Sequence, residues 1–421
     1  MAPIYHVHVR VLRVYHGGRD AAHRARDRAL VAAGVDLALV VPSTWPDGGG
    51  EANLGSDPFP IFELPVHHAG NVNRHVYVDS KALSKIVGDV SPDVVDVHEE
   101  PFSAAMRQVL AAVPREAPVV GYVAQNVNKR YPPPFLQWER AAYARLSGLY
   151  PCSRQAAAFA RARGFRGHID VLPLGFEPDL FRIGAQQHDD GIFKVCLFAR
   201  LVPEKGLWDA MVAFAELART RACELHIAGS GPLNGVLQSW AESLGIAAHM
   251  RLSAWLTTDE VANAYRQAHV VLVPSKSTRR WVEQFGRMIV EGQASGAVIV
   301  GYASGAIPEV AAGAALLCDE GDAVGLGRAL TALAGNESLW AWLRSRGLTA
   351  AGDKSWNRVA ERQRDFYQAV AASDGQANTQ LSEDFGPTAL VNGRVRRPLA
   401  VPTIGEFAQS FIRRGTTPAS R

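Results

Sequence analysis

Residues 281–296 read W-V-E-Q-F-G-R-M-I-V-E-G-Q-A-S-G and place Glu283 and Glu291 in an E-x7-E spacing, with Gly286 near the start of a helical stretch and Gly296 at its end. A helix that begins near Phe285 leaves the amides of Phe285, Gly286 and Arg287 without intrahelical acceptors, and such a terminus suits an anion such as a diphosphate. Eight residues of helix span roughly 12 Å at 1.5 Å per residue, an upper figure because Glu283 falls in the preceding loop. That length is comparable with the separation of a ribose and a sugar across a diphosphate. Glu291 could then accept hydrogen bonds from ribose hydroxyls and Glu283 from the sugar. Two solvent-facing helical glutamates are the plain alternative.

The elements that must position these groups alternate in type. Apolar runs at 7–15, 35–41, 93–97, 119–123 and 169–172 are separated by helix-length segments such as 20–33, 74–87 and 153–162. A polar stretch at 184–191 interrupts the pattern. It then restarts, with strands expected at 193–199, 224–228, 270–273 and 297–300 and helices at 204–219, 233–244 and 285–294. Alternation of this kind implies parallel α/β sheets, and 421 residues exceed what one core usually supports. The expected organisation is a Rossmann-like domain over 1–183, a linker over 184–191, a second Rossmann-like domain over 192–371, and a mostly flexible Ser-, Gly- and Pro-containing tail over 372–421.

Composition narrows the partners. A net charge of +3, from 44 basic and 41 acidic residues, supplies no field able to hold a polyanion, so nucleic acid is not an expected partner. No segment approaches the roughly 20 apolar residues that span a bilayer, and the N-terminal residues hold no uninterrupted apolar signal. A cytoplasmic protein is expected. Arginines in the tail, among them Arg394 and Arg413, could touch a membrane, although solvated charge is the simpler reading. Cys152, Cys196, Cys223 and Cys318 form no C-x-x-C pair and read as reduced, buried thiols.

Five linked segments carry a family resemblance. They are V-C-L-F-A-R-L-V-P-E-K-G at 195–206, A-G-S-G-P at 228–232, V-P-S at 273–275, E-Q-F-G-R-M-I-V-E at 283–291 and S-G-A-I-P-E-V at 304–310. In order and spacing the chain resembles the retaining glycosyltransferases of family 4. The resemblance implies a GT-B fold, two Rossmann-like domains facing across a cleft, with the acceptor held mainly by the first and a nucleotide-sugar donor by the second. It further implies that Arg200 and Lys205 grip the donor diphosphate and act with Glu283 in catalysis, and that Gly17, Gly18, Phe285, Gly286, Arg287 and Glu291 contact the donor.

The chemistry of those positions agrees. Arg200 ends a strand and Lys205 opens a helix, at the crevice edge where open α/β sheets bind ligands. Two cations there would neutralise a departing nucleoside diphosphate, the role a metal plays elsewhere. No metal and no resident cofactor are expected, the nucleotide sugar being a co-substrate. His16-Gly17-Gly18 would let backbone approach the ligand after the first strand. Family members often carry a histidine after the strand at 119–123, but this chain reads Ala124-Gln125-Asn126, which leaves the sugar-contacting group open. Gln125, Asn126, His98 and Glu99 are the candidates for sugar or acceptor contact, and Glu177 is expected to organise its turn. Neither His98-Glu99-Glu100 nor His188-Asp189-Asp190 offers spaced ligands from separate elements, so neither reads as a metal site. No residue can be assigned as the base that inversion needs, which leaves retention, as the family implies. A GT-B sugar-nucleotide epimerase and a non-catalytic sugar-nucleotide-binding subunit are the alternatives.

Overall fold

The structure, a computed structural model, describes residues 8–47, 50–51, 54–129, 131–184, 191–373, 390–391 and 394–395. The expected linker over 184–191, with its His188-Asp189-Asp190 run, and the tail over 372–421 fall almost wholly outside these residues.

The first unit runs to Glu177 and resumes at Lys354. Its sheet is built from β1 (Arg10–Val14), β2 (Asp36–Pro42), β3 (Ile61–Leu64), β4 (Val94–Val97), β5 (Val119–Val123), β6 (Gly148–Pro151) and β7 (His168–Ile169), in the order β7-β6-β5-β4-β1-β2-β3. Every pairing is parallel. Valine dominates the central strands because β-branched side chains fit a pleated surface, and β4, V-V-D-V, is buried along its whole length, as expected when helices cover both faces. The strand order reverses direction at β1 and β4, which opens a crevice at their C-terminal ends.

The second unit, Pro178–Asp353, repeats the plan. Its strands are β8 (Phe193–Phe198), β9 (Cys223–Ala228), β10 (Met250–Ser253), β11 (Val270–Val273), β12 (Val298–Tyr302) and β13 (Ala315–Cys318), all parallel in the order β10-β9-β8-β11-β12-β13. That is the strand order of a dinucleotide-binding sheet, and its switch point lies between β8 and β11. All four cysteines are buried free thiols.

One boundary departs from the sequence expectation. The helix Trp356–Ala372 packs on the helix Ala25–Ala32 of the first unit and does not extend the second to 371. Val359, Ala360, Phe366, Tyr367 and Val370 enter the core that holds Val11, Leu37 and Val120. Tyr367 donates to Asp96 at 2.6 Å, and Arg26 donates to Gln363 at 2.5 Å, both in buried surroundings. Helical periodicity shows that such a segment has an apolar face. It carries no information on which of two similar cores will take that face.

Candidate functional site

In the second unit three loops converge at the switch point. The chain leaves β8 through Arg200, makes a short turn at Pro203–Lys205 and enters the helix Leu207–Ala218. Gly206, at φ +67°, lies so close to the end of β11 that a Cβ there would meet the carbonyl oxygen of Pro274 at 2.0 Å. Only glycine allows this approach. Lys276 seals the same contact by donating its amide to the Glu204 carbonyl at 2.8 Å.

The close approach brings Lys205 to Glu283. Lys205 Nζ donates to Glu283 Oε2 at 2.6 Å, Ser275 Oγ donates to the same oxygen at 2.8 Å, and Lys205 Nζ sits 4.8 Å from the centroid of the Trp281 ring. Lys205 and Glu283 are 9% and 7% exposed, so their opposite charges are held in a low dielectric, where each is tolerated because of the other. Beside them Lys276 and Tyr302 both donate to Asp209, at 2.7 Å each, and burial raises the Tyr302 phenol well above its ordinary range. Arg200 differs from all of these. Its side chain is exposed and makes no hydrogen bond or ion pair among the described residues.

The helix of the E-x7-E segment begins at Arg287, two residues later than predicted. Gly286 precedes it at φ +82°, a left-handed conformation that glycine adopts without strain, and Ile289 N donates back to Gly286 O at 2.9 Å. The helix start therefore lies at Arg287 and Met288, and the turn whose amides general helix geometry leaves for an anion is shifted from Phe285 to these positions. The Phe285 ring is buried. Arg287 donates to Glu291 at 2.8 Å, so Glu291 is positioned by its own helix. The second unit thus unites Lys205, Ser275, Trp281 and Glu283 and starts the Arg287–Glu291 helix beside that group. Ser275 and Trp281 received no role from the sequence, although the V-P-S segment at the end of β11 marked where to look.

In the first unit, His16-Gly17-Gly18 forms a single tight turn after β1. Glu99, after β4, accepts from the His16 amide at 2.9 Å and faces His16 Nδ1 at 2.7 Å. His75 completes a group that the sequence did not suggest. Its Nε2 lies 3.8 Å from Glu99 Oε1, and Trp45 packs against both imidazoles. The donor atoms of His16, His75 and Glu99 all fall within 4.8 Å of one another. Positions 16, 75 and 99 share no motif; only the fold gathers them.

The remaining candidates are tied into local structure. His98 turns inward, with Nδ1 bonded to Arg13 at 2.9 Å and its ring stacked on Tyr122 at 4.1 Å between centroids. Burial, then the nearby Arg13 and Arg26, hold its pKa well below the usual value, and the ring is half-buried. Glu100 accepts from the amides of Ala124 and Gln125, while its buried environment pushes its pKa up to about 7. Gln125 accepts from the Val127 amide at 3.0 Å, and Asn126 donates to Gln155 at 2.8 Å. Among the described residues no helix is long and apolar enough to cross a membrane.

Comparison with known proteins agrees with this architecture. The profile described as "Glycosyl transferases group 1" matches residues 182–346, and that described as "Glycosyltransferase Family 4" matches 28–180. A Mycobacterium tuberculosis GDP-mannose-dependent alpha-(1-6)-phosphatidylinositol monomannoside mannosyltransferase is 29% identical over 172 residues, 38% of this chain and 43% of that protein. A D-inositol 3-phosphate glycosyltransferase of Segniliparus rotundus is 30% identical over 152 residues, 33% of each chain. The chain therefore matches less than half the length of these curated relatives. Among solved structures, the sucrose-phosphate synthase of Thermosynechococcus elongatus aligns with a TM-score of 0.67 at 15% identity, covering 86% of this chain and 99% of that one. Anabaena HepE in complex with UDP and glucose aligns at 0.64 and 15%, covering 86% and 100%.

Two parallel Rossmann-like units, with a cation–carboxylate cluster at the switch point of the second, define the GT-B class of glycosyltransferase folds. Within that class the chain belongs to the group 1 glycosyltransferases, family 4.

Proposed function

We propose that the chain transfers a sugar from a nucleotide-sugar donor to an acceptor hydroxyl with retention of anomeric configuration, the donor bound by the second unit and no metal engaged on its diphosphate. The observation that carries this reading is the buried Lys205–Glu283–Ser275 cluster at the sheet's switch point, flanked by an exposed Arg200 whose side chain has no partner among the described residues. Lys205 and Arg200 stabilise the charge that grows on the leaving nucleoside diphosphate, together with the amides at the start of the helix Arg287–Ala294. Glu283 fixes Lys205 and accepts from a sugar hydroxyl, while Glu291, held by Arg287, takes the ribose hydroxyls. A diphosphate oxygen receives the acceptor's proton on the face from which the leaving group departs. The nucleotide sugar is consumed in each turnover, so no resident cofactor is required.

The relatives' names, one GDP-mannose-dependent, and the UDP and glucose of the HepE complex support this donor class. A thermal-shift screen of UDP-, GDP-, dTDP- and ADP-linked sugars in EDTA tests it, since a ligand bound only by the native state raises apparent stability. One nucleotide sugar should raise the transition. A donor effect that appears only when Mg²⁺ or Mn²⁺ is restored would overturn the metal-free diphosphate site. NMR of the first product from an α-linked donor should show an α-linkage, and a β-linked product would sink retention.

A further inference from the structure

The crevice of the first unit holds a second chemically distinct centre. His75 Nδ1 lies 3.3 Å from the carbonyl oxygen of Asn71. A carbonyl can only accept, so Nδ1 carries the proton and Nε2 of the neutral ring presents a lone pair. His75 is wholly buried, and this Nε2 has no hydrogen-bond partner among the described residues. It points at Glu99 Oε1, 3.8 Å away, and an ionised carboxylate has no proton to offer. Two acceptors thus face each other in a buried site, an arrangement that costs free energy unless a proton or a metal cation stands between them.

His16 provides a third donor. Its Nδ1 is 2.7 Å from Glu99 Oε1, and its side chain is 20% exposed whereas Glu99 and His75 are buried. A tetrahedral zinc with ligands at about 2.0–2.2 Å separates its donor atoms by roughly 3.4 Å. The pair at 2.7 Å would therefore open by about 0.7 Å and the pair at 3.8 Å close by about 0.4 Å. The Asn71 carbonyl is the outer partner that fixes a ligating histidine's tautomer, and it is already in place.

We infer that His16, His75 and Glu99 form a binding site for a divalent transition-metal ion of the zinc class, held by two imidazoles and one carboxylate at the C-terminal ends of β1 and β4. On binding, the His16 proton moves from Nδ1 to Nε2, so the ring stays neutral and Nδ1 becomes the ligand. His16 also lines a recess with Asp20, His23 and Trp45, through which water or an oxygen ligand could reach a fourth position. All three ligands lie in the first unit, apart from Arg200, Lys205, Glu283 and Glu291 of the second, although His16 adjoins the Gly17-Gly18 turn that the resemblance assigns to the donor.

The test uses the untagged full chain, stripped with chelator and titrated with ZnCl₂ alone by calorimetry, with the cobalt-substituted protein examined by visible absorption. One saturable equivalent per chain is expected, together with the intense visible band of four-coordinate Co²⁺ and a raised thermal transition. His75→Ala and Glu99→Gln should each lose the tight equivalent. His16→Ala, at the partly exposed ligand, should weaken binding at least 100-fold while folding normally, and it decides the matter if a buried variant does not fold. Absence of a saturable equivalent in the wild type, or unchanged affinity in His16→Ala, would overturn the site.

Discussion

Arg200 and Lys205 are assigned the same chemical task, yet their surroundings make replacement by alanine mean different things. The Arg200 side chain is exposed and bonded to nothing among the described residues, so its truncation should alter stability by less than about 0.5 kcal/mol. Its loss should be purely kinetic. Removing one preorganised group that stabilises transition-state charge costs about 100- to 1000-fold in kcat, or about 2.7–4 kcal/mol. Lys205→Ala removes the cation from the buried Glu283, and breaking such a pair costs about 3–5 kcal/mol of stability. Release of nucleoside diphosphate, measured alongside thermal unfolding of each variant, separates the two effects. Arg200→Ala should lower kcat and kcat/KM with an unchanged Tm, and Lys205→Ala should lower all three. If Arg200→Ala kept the wild-type kcat and raised only the donor KM, the leaving-group role would be wrong.

Glu291→Ala should raise the donor KM several-fold with little change in kcat, because ribose contacts are made equally in ground and transition states; a wild-type KM would remove Glu291 from the site. Gly286→Ala should cost about 1–2 kcal/mol in a denaturant titration, since φ +82° forces an L-residue into the left-handed region. Tyr367→Phe, which strips a buried donor from Asp96, should cost about 1–3 kcal/mol, and a neutral result would show that Asp96 is satisfied without it. His226, 6% exposed and bonded to Ser253, has its pKa lowered to about 4, first by burial and then by Arg251. Below pH 6.5 the unfolded chain takes up a proton that the native state refuses until about pH 4, so stability should fall across that window as pH falls, by on the order of 3 kcal/mol. His226→Phe should flatten this part of the stability profile.

Strand–helix alternation made both sheets legible, because parallel strands covered on both faces write near-continuous apolar runs such as V-V-L-V at 270–273. The positions of Lys205 and Glu283 were legible too, since both sit in segments whose spacing reflects the loops that end β8 and β11. The partnership between them was not, because it depends on how closely Gly206 lets those loops approach. The helix start was misplaced by two residues since Phe285 reads as the first apolar position, whereas the backbone turns at Gly286. His98 looked available beside Glu99, but strand alternation sends it toward Arg13 and Tyr122. His75 carried no sequence signal, because its meaning arises only where two distant loops bring carboxylate and imidazole to it.

The return of the helix Trp356–Ala372 to the first unit sets an order of events during synthesis. The strands of the first sheet are all made by residue 169, but the core they share with Val359, Phe366 and Tyr367 stays open until those residues are made. The whole of Pro178–Asp353 is translated in between, on the order of ten to thirty seconds at roughly 5–20 residues per second. The later-encoded unit can therefore be fully folded while the earlier one still exposes apolar surface. A fragment ending at Glu177 would remain permanently at that stage, so an independently folding first unit has to be made with residues 354–373 joined back to it.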